Sequence, residues 1–233
     1  MRQVRRPDGR LGIGSGWLTA HAPLGGGVAL RVRTNRSFHP PEPDRPLILI
    51  GNGTGLAGLR AHMRARRAAG RERNWLVFGE RSRARDFFHR EQIESWLAEG
   101  SLQRLDLSFS RDQPERFYVQ DRLRAAAAEL RRWVADRAAI YVSGSLGGMS
   151  TGVHGALVEA LGRDVVDALA EEGLHYRRDV YRFAGAQYSQ SAERSMLSRL
   201  ARPVRAMAIS SSVRRIFRTW TTPTGPPTAS PWT

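Results

Sequence analysis

Short apolar runs alternate with amphipathic stretches through the middle of this 233-residue chain. The apolar runs have the length of strands that are covered on both faces. They span residues 47–50, 75–78, 105–108 and 140–143, with a further candidate at 174–181. The amphipathic stretches repeat apolar residues every three or four positions, as helices do. They span residues 58–67, 86–98, 120–135 and 149–161. This alternation predicts an α/β fold, a doubly wound parallel sheet with helices on both faces.

The first apolar run ends in a glycine-rich turn, Gly-Asn-Gly-Thr-Gly at residues 51–55, before a helix rich in arginine and alanine. Glycine lets the backbone come close to a ligand, and the threonine adds a hydroxyl at the start of the helix. The free N–H groups and the positive dipole of a helix start favour an anionic pyrophosphate. The residues that we expect to bind a phosphorylated cofactor here are Gly51, Gly53, Thr54 and Gly55.

The spacing of these glycines leaves two interpretations open. Gly-x-Gly-x-Gly differs from the Gly-x-Gly-x-x-Gly of dehydrogenase-type dinucleotide sites, and no Lys-Ser/Thr pair follows, as a P-loop requires. A tight strand-to-helix crossover without a ligand would need the same residues.

A second polar segment, residues 110–120, directly follows the third apolar run. Arg111 and Arg116 can each bind phosphate oxygens through a forked pair of hydrogen bonds, and Ser110 adds a hydroxyl donor. Tyr118 offers a flat face on which adenine can stack. Most charged segments are simply solvated loops. This one begins at the edge of the sheet where the glycine turn is expected, and arginine there favours NADP over NAD.

Composition narrows the chemistry further. The chain has no cysteine, which rules out disulfides, thiolate metal sites and cysteine nucleophiles, and we expect no bound metal. The net charge is +15, and every basic residue is arginine. No basic run alternates with aromatic residues as a base-stacking surface requires, so we expect no nucleic-acid partner. The sequence contains no apolar run of membrane-spanning length and no export leader, which makes a cytoplasmic location the expectation.

Five motifs together resemble the ferredoxin-reductase superfamily, and most closely the NADPH-binding domain of diflavin reductases of the sulfite reductase flavoprotein and NADPH-hemoprotein reductase type. The motifs lie at residues 51–57, 74–81, 110–120, 140–144 and 178–181. The resemblance covers residues 12–181 and implies NADPH and FAD as cofactors. FMN is implied only if a flavodoxin-like domain exists elsewhere.

The resemblance also implies roles for individual residues. Thr54 is expected to contact the nicotinamide side of NADP, with Gly144 in the same site. The residues implied for the adenosine phosphate end are Ser110, Arg111, Arg116, Tyr118 and Gln120, with Arg81 nearby. Tyr181 matches the terminal aromatic residue that stacks on the flavin ring. Ser143 stands where the family has a cysteine on the hydride path, so we predict Ser143 and Tyr181 as catalytic residues.

Three segments are predicted from these patterns. Residues 1–45 resemble the carboxyl-terminal edge of an FAD-binding β-barrel domain, with a helix-like stretch at 16–22 and a strand-like stretch at 28–33. Residues 46–181 form the NADP-binding domain, and residues 182–233 form a low-complexity basic tail that we expect to be disordered. The residues that resemble the FAD-pyrophosphate turn are Gly12, Ile13, Gly14 and Ser15.

The sequence thus predicts an NADPH-dependent flavoprotein reductase that passes hydride from NADPH to FAD, for transfer to an acceptor protein or domain. Because most of the FAD barrel has no counterpart here, the alternative is an NADP-binding module without catalysis of its own, either truncated or completed by another chain. A third hypothesis is a basic interaction protein that uses its tail on an anionic membrane, through the stretch 197–220, or on nucleic acid, and it depends on charge alone.

Overall fold

The computed structural model describes residues 3–31, 34–171 and 175–181. Five parallel strands form one sheet with the order β3-β2-β1-β4-β5. The strands are β1 (Leu47–Asn52), β2 (Asn74–Glu80), β3 (Arg104–Phe109), β4 (Ala139–Ser145) and β5 (Tyr176–Tyr181). Each contains most of an apolar run or candidate that the sequence indicated. The predicted doubly wound parallel sheet is therefore confirmed.

One short helix precedes β1, and the other helices lie between the strands. They are α1 (Ile13–Gly16), α2 (Leu56–Ala68), α3 (Arg83–Asp86), α4 (Arg90–Ala98), α5 (Val119–Ala125), α6 (Ala127–Ala135), α7 (Thr151–Leu161) and α8 (Arg163–Glu171). The predicted helix 120–135 is interrupted at Ala126, and the predicted helix 86–98 begins only at Arg90, because the preceding short helix α3 ends at Asp86. His89 has a left-handed φ of 64°, which no continuous helix accommodates. Helix α8 was not predicted, and it begins after Gly162, whose φ is 87°.

Alternate residues of the central strands face opposite layers of helices. Leu47 and Leu49 belong to one buried cluster with Leu59 and Met63 of α2 and Ile93 of α4. On the other face, the Trp75 and Trp133 rings lie 5.6 Å apart, which packs β2 against α6. Both faces of the sheet are thus covered, as the continuous apolar runs require.

Strand β1 pairs with β2 on one side and with β4 on the other. From β1 the chain proceeds through β2 to β3 at one edge of the sheet, and then crosses to β4 and continues to β5 at the other edge. The strand order therefore reverses between β1 and β4. In open α/β sheets, ligands bind in the crevice outside the carboxyl ends of the strands at this reversal.

The segment before β1 contains helix α1, a π-helical turn at Trp17–His21 and a 3₁₀ turn at Arg36–Phe38. The expected strand at 28–33 is not present over residues 28–31, and residues 32–33 lie outside the described ranges. In the described part of the chain, no neighbouring strand pairs with the backbone of 28–31, and an extended segment needs such pairing to form a sheet.

The packing of the sheet domain extends upstream of β1. Phe38 is buried in the same cluster as α2, and the Tyr141 hydroxyl donates a 2.6 Å hydrogen bond to the carbonyl of His39. The tail predicted to be disordered, residues 182–233, lies outside the described residues. In the ranges that the structure describes, none of the helices has the length and apolar character needed to cross a membrane.

Candidate functional site

A cleft of about 530 Å³ lies across the carboxyl ends of the strands. All five strands contribute residues at or just beyond their ends. The lining includes Asn52, Gly53, Glu80, Arg81, Ser110, Arg111, Arg116, Tyr118, Gln120, Ser145, Gly147, Gly148, Met149 and Tyr181. Eight of these are residues that the sequence assigned to NADP or to the hydride step. They are Gly53, Arg81, Ser110, Arg111, Arg116, Tyr118, Gln120 and Tyr181.

Parallel pairing continues past the ends of β2 and β3 and holds the first polar loop in place. The Ser110 N–H donates to the Glu80 carbonyl at 2.9 Å, and the Arg111 N–H donates to the Arg81 carbonyl at 2.8 Å. The backbones of Arg81 and Arg111 are therefore neighbours at the mouth of the cleft, although thirty positions separate the two residues in the sequence.

The loop that carries Arg116 and Tyr118 is anchored by α5. Arg122 donates through Nε to the Leu107 carbonyl at 2.7 Å, and its guanidinium lies 4.7 Å from the centre of the Phe117 ring. The Asp121 carboxylate accepts a 2.9 Å hydrogen bond from the Tyr118 N–H at the start of the helix. Tyr118 itself is 40% exposed, so its ring is accessible from the cleft.

Three guanidiniums give this part of the cleft a positive charge. The side chains of Arg81, Arg111 and Arg116 are exposed, and within the described ranges none of them forms an ion pair. Elsewhere in the domain arginines are commonly paired, as Arg104 is with Asp106 at 2.6 Å. Uncompensated positive charge in a cleft attracts and retains anionic ligands.

Two glycines of the predicted phosphate turn contact the neighbouring strand. A Cβ on Gly55 would overlap the Ser143 carbonyl and come 2.7 Å from the Gly144 nitrogen. A Cβ on Gly51 would overlap the same carbonyl and lie 2.7 Å from a Leu59 methyl carbon. Close packing of β1 and the start of α2 against β4 therefore requires glycine at both positions, and neither residue lines the cleft.

Gly53 differs from these two glycines. Its φ is +57°, in the left-handed region, and it lines the cleft. A Cβ here would lie 3.2 Å from the Tyr181 hydroxyl and 3.8 Å from Oε1 of Glu80. Gly53 therefore leaves room where the ends of β1, β2 and β5 converge.

The other residues predicted for this site lie just outside the cleft lining. Ser143 is 3% exposed, and its hydroxyl lies 3.7 Å from the position of a Cβ on Gly58, on the α2 side of β4. Gly144 packs against Asn52 and Met149, and Thr54 is exposed in the 3₁₀ turn Gly53–Gly55. Gly144 and Thr54 are next in the chain to Ser145 and Gly53, which line the cleft.

The predicted FAD turn lies at the start of α1, in residues 3–31. The Ser15 hydroxyl accepts a 3.1 Å hydrogen bond from the Val4 N–H, and the Gly12 N–H donates to the Val4 carbonyl at 2.7 Å. Ile13 is 81% exposed. Gly12, Ile13, Gly14 and Ser15 form a self-contained turn, and none of them lines the cleft.

Sequence reasoning did not select several residues that line the cleft. The main ones are Asn52, Glu80, Ser145, Gly147, Gly148 and Met149. Their position in the sequence could have identified three of them, because Asn52, Glu80 and Ser145 are the last residues of β1, β2 and β4. Ligands of doubly wound sheets bind at strand ends, so polar residues at these ends were candidates.

The sequence offered no catalytic partners for His154 and His175, and both pack among structural groups. His154 stacks on Tyr176 with ring centres 6.0 Å apart and an interplanar angle of 8°. Burial lowers the pKa of His175 to about 4. In the part of the chain that the structure describes, no group of three or more His, Cys, Asp or Glu residues is arranged to hold a metal ion.

Comparison with known proteins agrees with this geometry. Residues 49–155 match the model of the oxidoreductase NAD-binding domain family. The NADPH sulfite reductase flavoprotein alpha-component of Salmonella paratyphi B is 41% identical over 183 residues, which cover 74% of this chain and 31% of that protein. The corresponding protein of Klebsiella pneumoniae is 40% identical over the same shares of the two chains. The protein of Neisseria meningitidis serogroup C is 38% identical over 184 residues, 74% of this chain and 30% of that protein.

The chain spans about a third of the length of these curated relatives. The family match and the relatives confirm the resemblance that the five motifs predicted. They establish an NAD(P)H-binding domain related to sulfite reductase flavoproteins.

Proposed function

We propose that this chain, which carries an oxidoreductase NAD-binding domain homologous to the carboxyl-terminal part of the sulfite reductase flavoprotein alpha-component, binds NADPH in the cleft and delivers its hydride to FAD. The observation that carries the proposal is the group formed by Ser110, Arg111 and Arg116 at the end of β3. A hydroxyl and two guanidiniums, neither of which forms an ion pair with another described residue, line one end of the cleft beside the exposed Tyr118 ring.

This group suits the adenosine end of NADPH. The 2′-phosphate is a multiply charged anion, and arginine binds phosphate through forked, charge-assisted hydrogen bonds. NADH carries a neutral hydroxyl at that position, so it gains little from the same cations. Tyr118 would stack on adenine, and Gln120 and Arg81 would border the same subsite. The nucleotide would extend from there toward Gly53 and Thr54.

The remaining proposed roles concern the hydride step. FAD, when bound, supplies the redox chemistry, while this chain aligns the nicotinamide. Tyr181 lines the cleft, and its ring would stack on the flavin ring. Because the Ser143 hydroxyl is buried against α2, any contribution of Ser143 would act through the Ser143–Gly144 backbone, which meets Gly55.

The fit to FAD is partial. For the flavin, the described residues offer the Gly12–Ser15 turn, whose backbone donors could meet a pyrophosphate, and the Tyr181 ring. We therefore propose that FAD is held jointly with a further domain or protein, which also provides or contacts the electron acceptor. FMN would be a cofactor only of a flavodoxin-like domain within that partner.

The second candidate function is an NADP-binding module without catalysis of its own. It is favoured by the number of described residues available to each cofactor. All five strands contribute to the nucleotide cleft, whereas only the Gly12–Ser15 turn and Tyr181 are available to the flavin. Both candidates predict selective NADPH binding, and they differ in turnover.

The experiment that tests the proposal uses the purified full chain with added FAD. NADPH-driven reduction of ferricyanide is measured beside NADH as the control nucleotide, and binding of both nucleotides is measured by calorimetry. Turnover that is selective for NADPH and requires FAD supports the reductase. Selective binding without turnover supports the binding module, and equal or absent binding of the two nucleotides overturns the NADPH assignment.

A further inference from the structure

Helix α5 begins at the cleft with two consecutive side chains that each pack against a glycine. Val119 is buried, and a Cβ on Gly79 of β2 would overlap its Cγ2 methyl carbon. Gln120 lies across the start of α7, where a Cβ on Gly152 would come 3.0 Å from its Cδ and 3.1 Å from its Nε2. Carbon atoms in ordinary contact are about 3.5–4.0 Å apart. The position of the Gln120 amide therefore requires glycine at position 152.

Gln120 lines the cleft, and its amide oxygen is not exposed to solvent. Among the described residues, no group donates a hydrogen bond to this Oε1 atom. A buried acceptor without a donor is unfavourable, and buried polar groups in proteins nearly always have a partner. A ligand in the cleft that offers a donor at this point would therefore gain affinity.

The phosphates of a dinucleotide do not supply that donor. At neutral pH their oxygens are ionised and accept hydrogen bonds, as they would from Arg111 and Arg116. The adenosine part carries donors that NADPH and NADH share, the 6-amino group of adenine and the ribose 3′-hydroxyl. The chemistry that suits Oε1 is therefore an N–H or O–H group of the adenosine.

We propose that Gly152 is a positioning residue for nucleotide binding, because it lets the Gln120 amide lie where Oε1 accepts a hydrogen bond from the adenosine. This inference rests on the proposed function. It divides recognition between two groups of residues. Arg111 and Arg116 select the phosphorylated nucleotide, whereas Gln120, positioned by Gly152, binds the adenosine that NADPH and NADH have in common.

A methyl group at position 152 would disturb this contact without disturbing the fold. The new Cβ would meet the end of a flexible side chain, so the Gln120 amide would shift by a few tenths of an ångström while α5 and α7 stay in place. Hydrogen bonds weaken as their distance and angle depart from the optimum. Gly152→Ala should therefore lower nucleotide affinity through Gln120.

The test is a double-mutant cycle on the full chain, with Gly152→Ala, Gln120→Ala and the two changes combined. Calorimetric titration with NADPH and with NADH gives the affinities. The matched control is Gly155→Ala, which adds the same methyl group to α7 at a position where nothing lies within 4 Å of a Cβ. Circular dichroism melting curves establish that the variants fold.

We expect Gly152→Ala to weaken binding of NADPH and NADH by a similar factor, about three- to tenfold, the effect of one neutral hydrogen bond. Gln120→Ala should weaken binding at least as much. Once Gln120→Ala is present, adding Gly152→Ala should change affinity by less than about twofold, because the side chain that it displaces is gone. Gly155→Ala should leave both affinities unchanged.

Gln120→Asn is a second variant, and it leaves α7 untouched. Asparagine withdraws the amide by one methylene, so it should reproduce the loss that Gly152→Ala causes. The reduced hypoxanthine analogue of NADPH identifies the donor, because an oxygen replaces the 6-amino group of adenine. Gly152→Ala should leave the affinity for this analogue unchanged if the 6-amino group is the donor, and should lower it as for NADPH if the 3′-hydroxyl is.

Three outcomes overturn the inference. Unchanged affinity in Gly152→Ala and Gln120→Asn would mean that the position of the amide does not matter. An equal effect of Gly152→Ala with and without Gln120 would show that it acts through α7 in general. A loss confined to NADPH would assign the Gln120 amide to the 2′-phosphate. If the unaltered chain binds neither nucleotide, the proposed function fails as well, whereas a chain that binds NADPH selectively with no coupling between the two residues loses only this inference.

Discussion

Asn52 and Ser145 exchange two hydrogen bonds across the point where the strand order reverses. The Ser145 N–H donates to Oδ1 of Asn52 at 3.0 Å, and Nδ2 of Asn52 donates to the Ser145 hydroxyl at 3.2 Å. The two residues end β1 and β4, and both line the cleft. The pair therefore ties the glycine turn after β1 to the Leu146–Ser150 turn, so the two loops that border the cleft are held in one arrangement.

We expect Asn52→Ala to destabilise the fold more than Ser145→Ala does. Loss of Asn52 removes both hydrogen bonds and deprives the Ser145 N–H of its acceptor, at a cost of about 1–2 kcal/mol. Loss of the Ser145 hydroxyl removes one bond, at about 0.5–1 kcal/mol. Urea unfolding of both variants measures this difference, and equal costs would contradict the two-bond geometry. NADPH affinity should fall in the same order.

Gly55→Ala should be strongly destabilising. The new Cβ would overlap backbone atoms of Ser143 and Gly144, which cannot retreat without breaking the pairing of β1 with β4. Overpacking of this kind costs about 1–3 kcal/mol or more. Gly155→Ala is the matched control, because nothing lies within 4 Å of a Cβ there and the residue is inside α7.

Thermal unfolding of the two variants should therefore shift in opposite directions. Alanine favours a helix over glycine by about 1 kcal/mol, so Gly155→Ala should raise the melting temperature. A melting temperature for Gly55→Ala close to that of the unaltered chain would mean that the turn can move away from β4.

Arg111→Ala should weaken binding of NADPH far more than binding of NADH. A hydrogen bond to a charged group contributes about 1.5–3 kcal/mol, which corresponds to at least a tenfold loss for the phosphorylated nucleotide. Arg64→Ala is the control, since it removes one exposed guanidinium from α2 outside the cleft lining. Calorimetric titration with both nucleotides gives the selectivity, and equal losses for NADPH and NADH would place the 2′-phosphate elsewhere.

The sequence predicted the sheet because each strand carries its own local signal. The run at residues 47–50 is continuously apolar, and the structure buries all four side chains completely. The polar residues 110–120 could be assigned to the cleft for a similar reason, since they directly follow the third strand. Features that depend on one short stretch of chain can be predicted from the sequence alone.

Contacts between residues that are far apart in the sequence could not be predicted from it. Asn52 and Ser145 are separated by 93 positions, and no periodicity connects them, so only the pairing of β1 with β4 brings them together. Glu80 immediately precedes Arg81, but its orientation toward Gly53 follows from the packing of three strands. The sequence likewise indicated Gly55 as a glycine that lets the backbone approach a ligand, and only the structure shows the Ser143 carbonyl packed against it.

Stability should fall as the pH drops from about 6.5 to 4, partly because of His62. Burial is the main reason that the pKa of His62 is lowered to about 4, and the nearby Arg66 charge acts in the same direction. The Phe38 and Tyr141 rings enclose the imidazole, with ring centres at 5.0 and 5.1 Å. In the unfolded chain the pKa returns to about 6.5, so the unfolded state binds the proton first.

The contribution of His62 to the free energy of unfolding is therefore complete above pH 6.5 and is lost as the pH falls toward 4. The loss from this histidine amounts to at most about 3 kcal/mol. Urea unfolding at pH 7.5 and pH 5 measures the loss. His62→Gln should lower stability at both pH values and reduce the difference between them, while His175 and His154, whose pKa values burial also lowers, keep part of it. His21→Gln, at an exposed position, should leave the pH difference intact. A slope unaffected by His62→Gln would mean that the imidazole can be protonated within the folded domain.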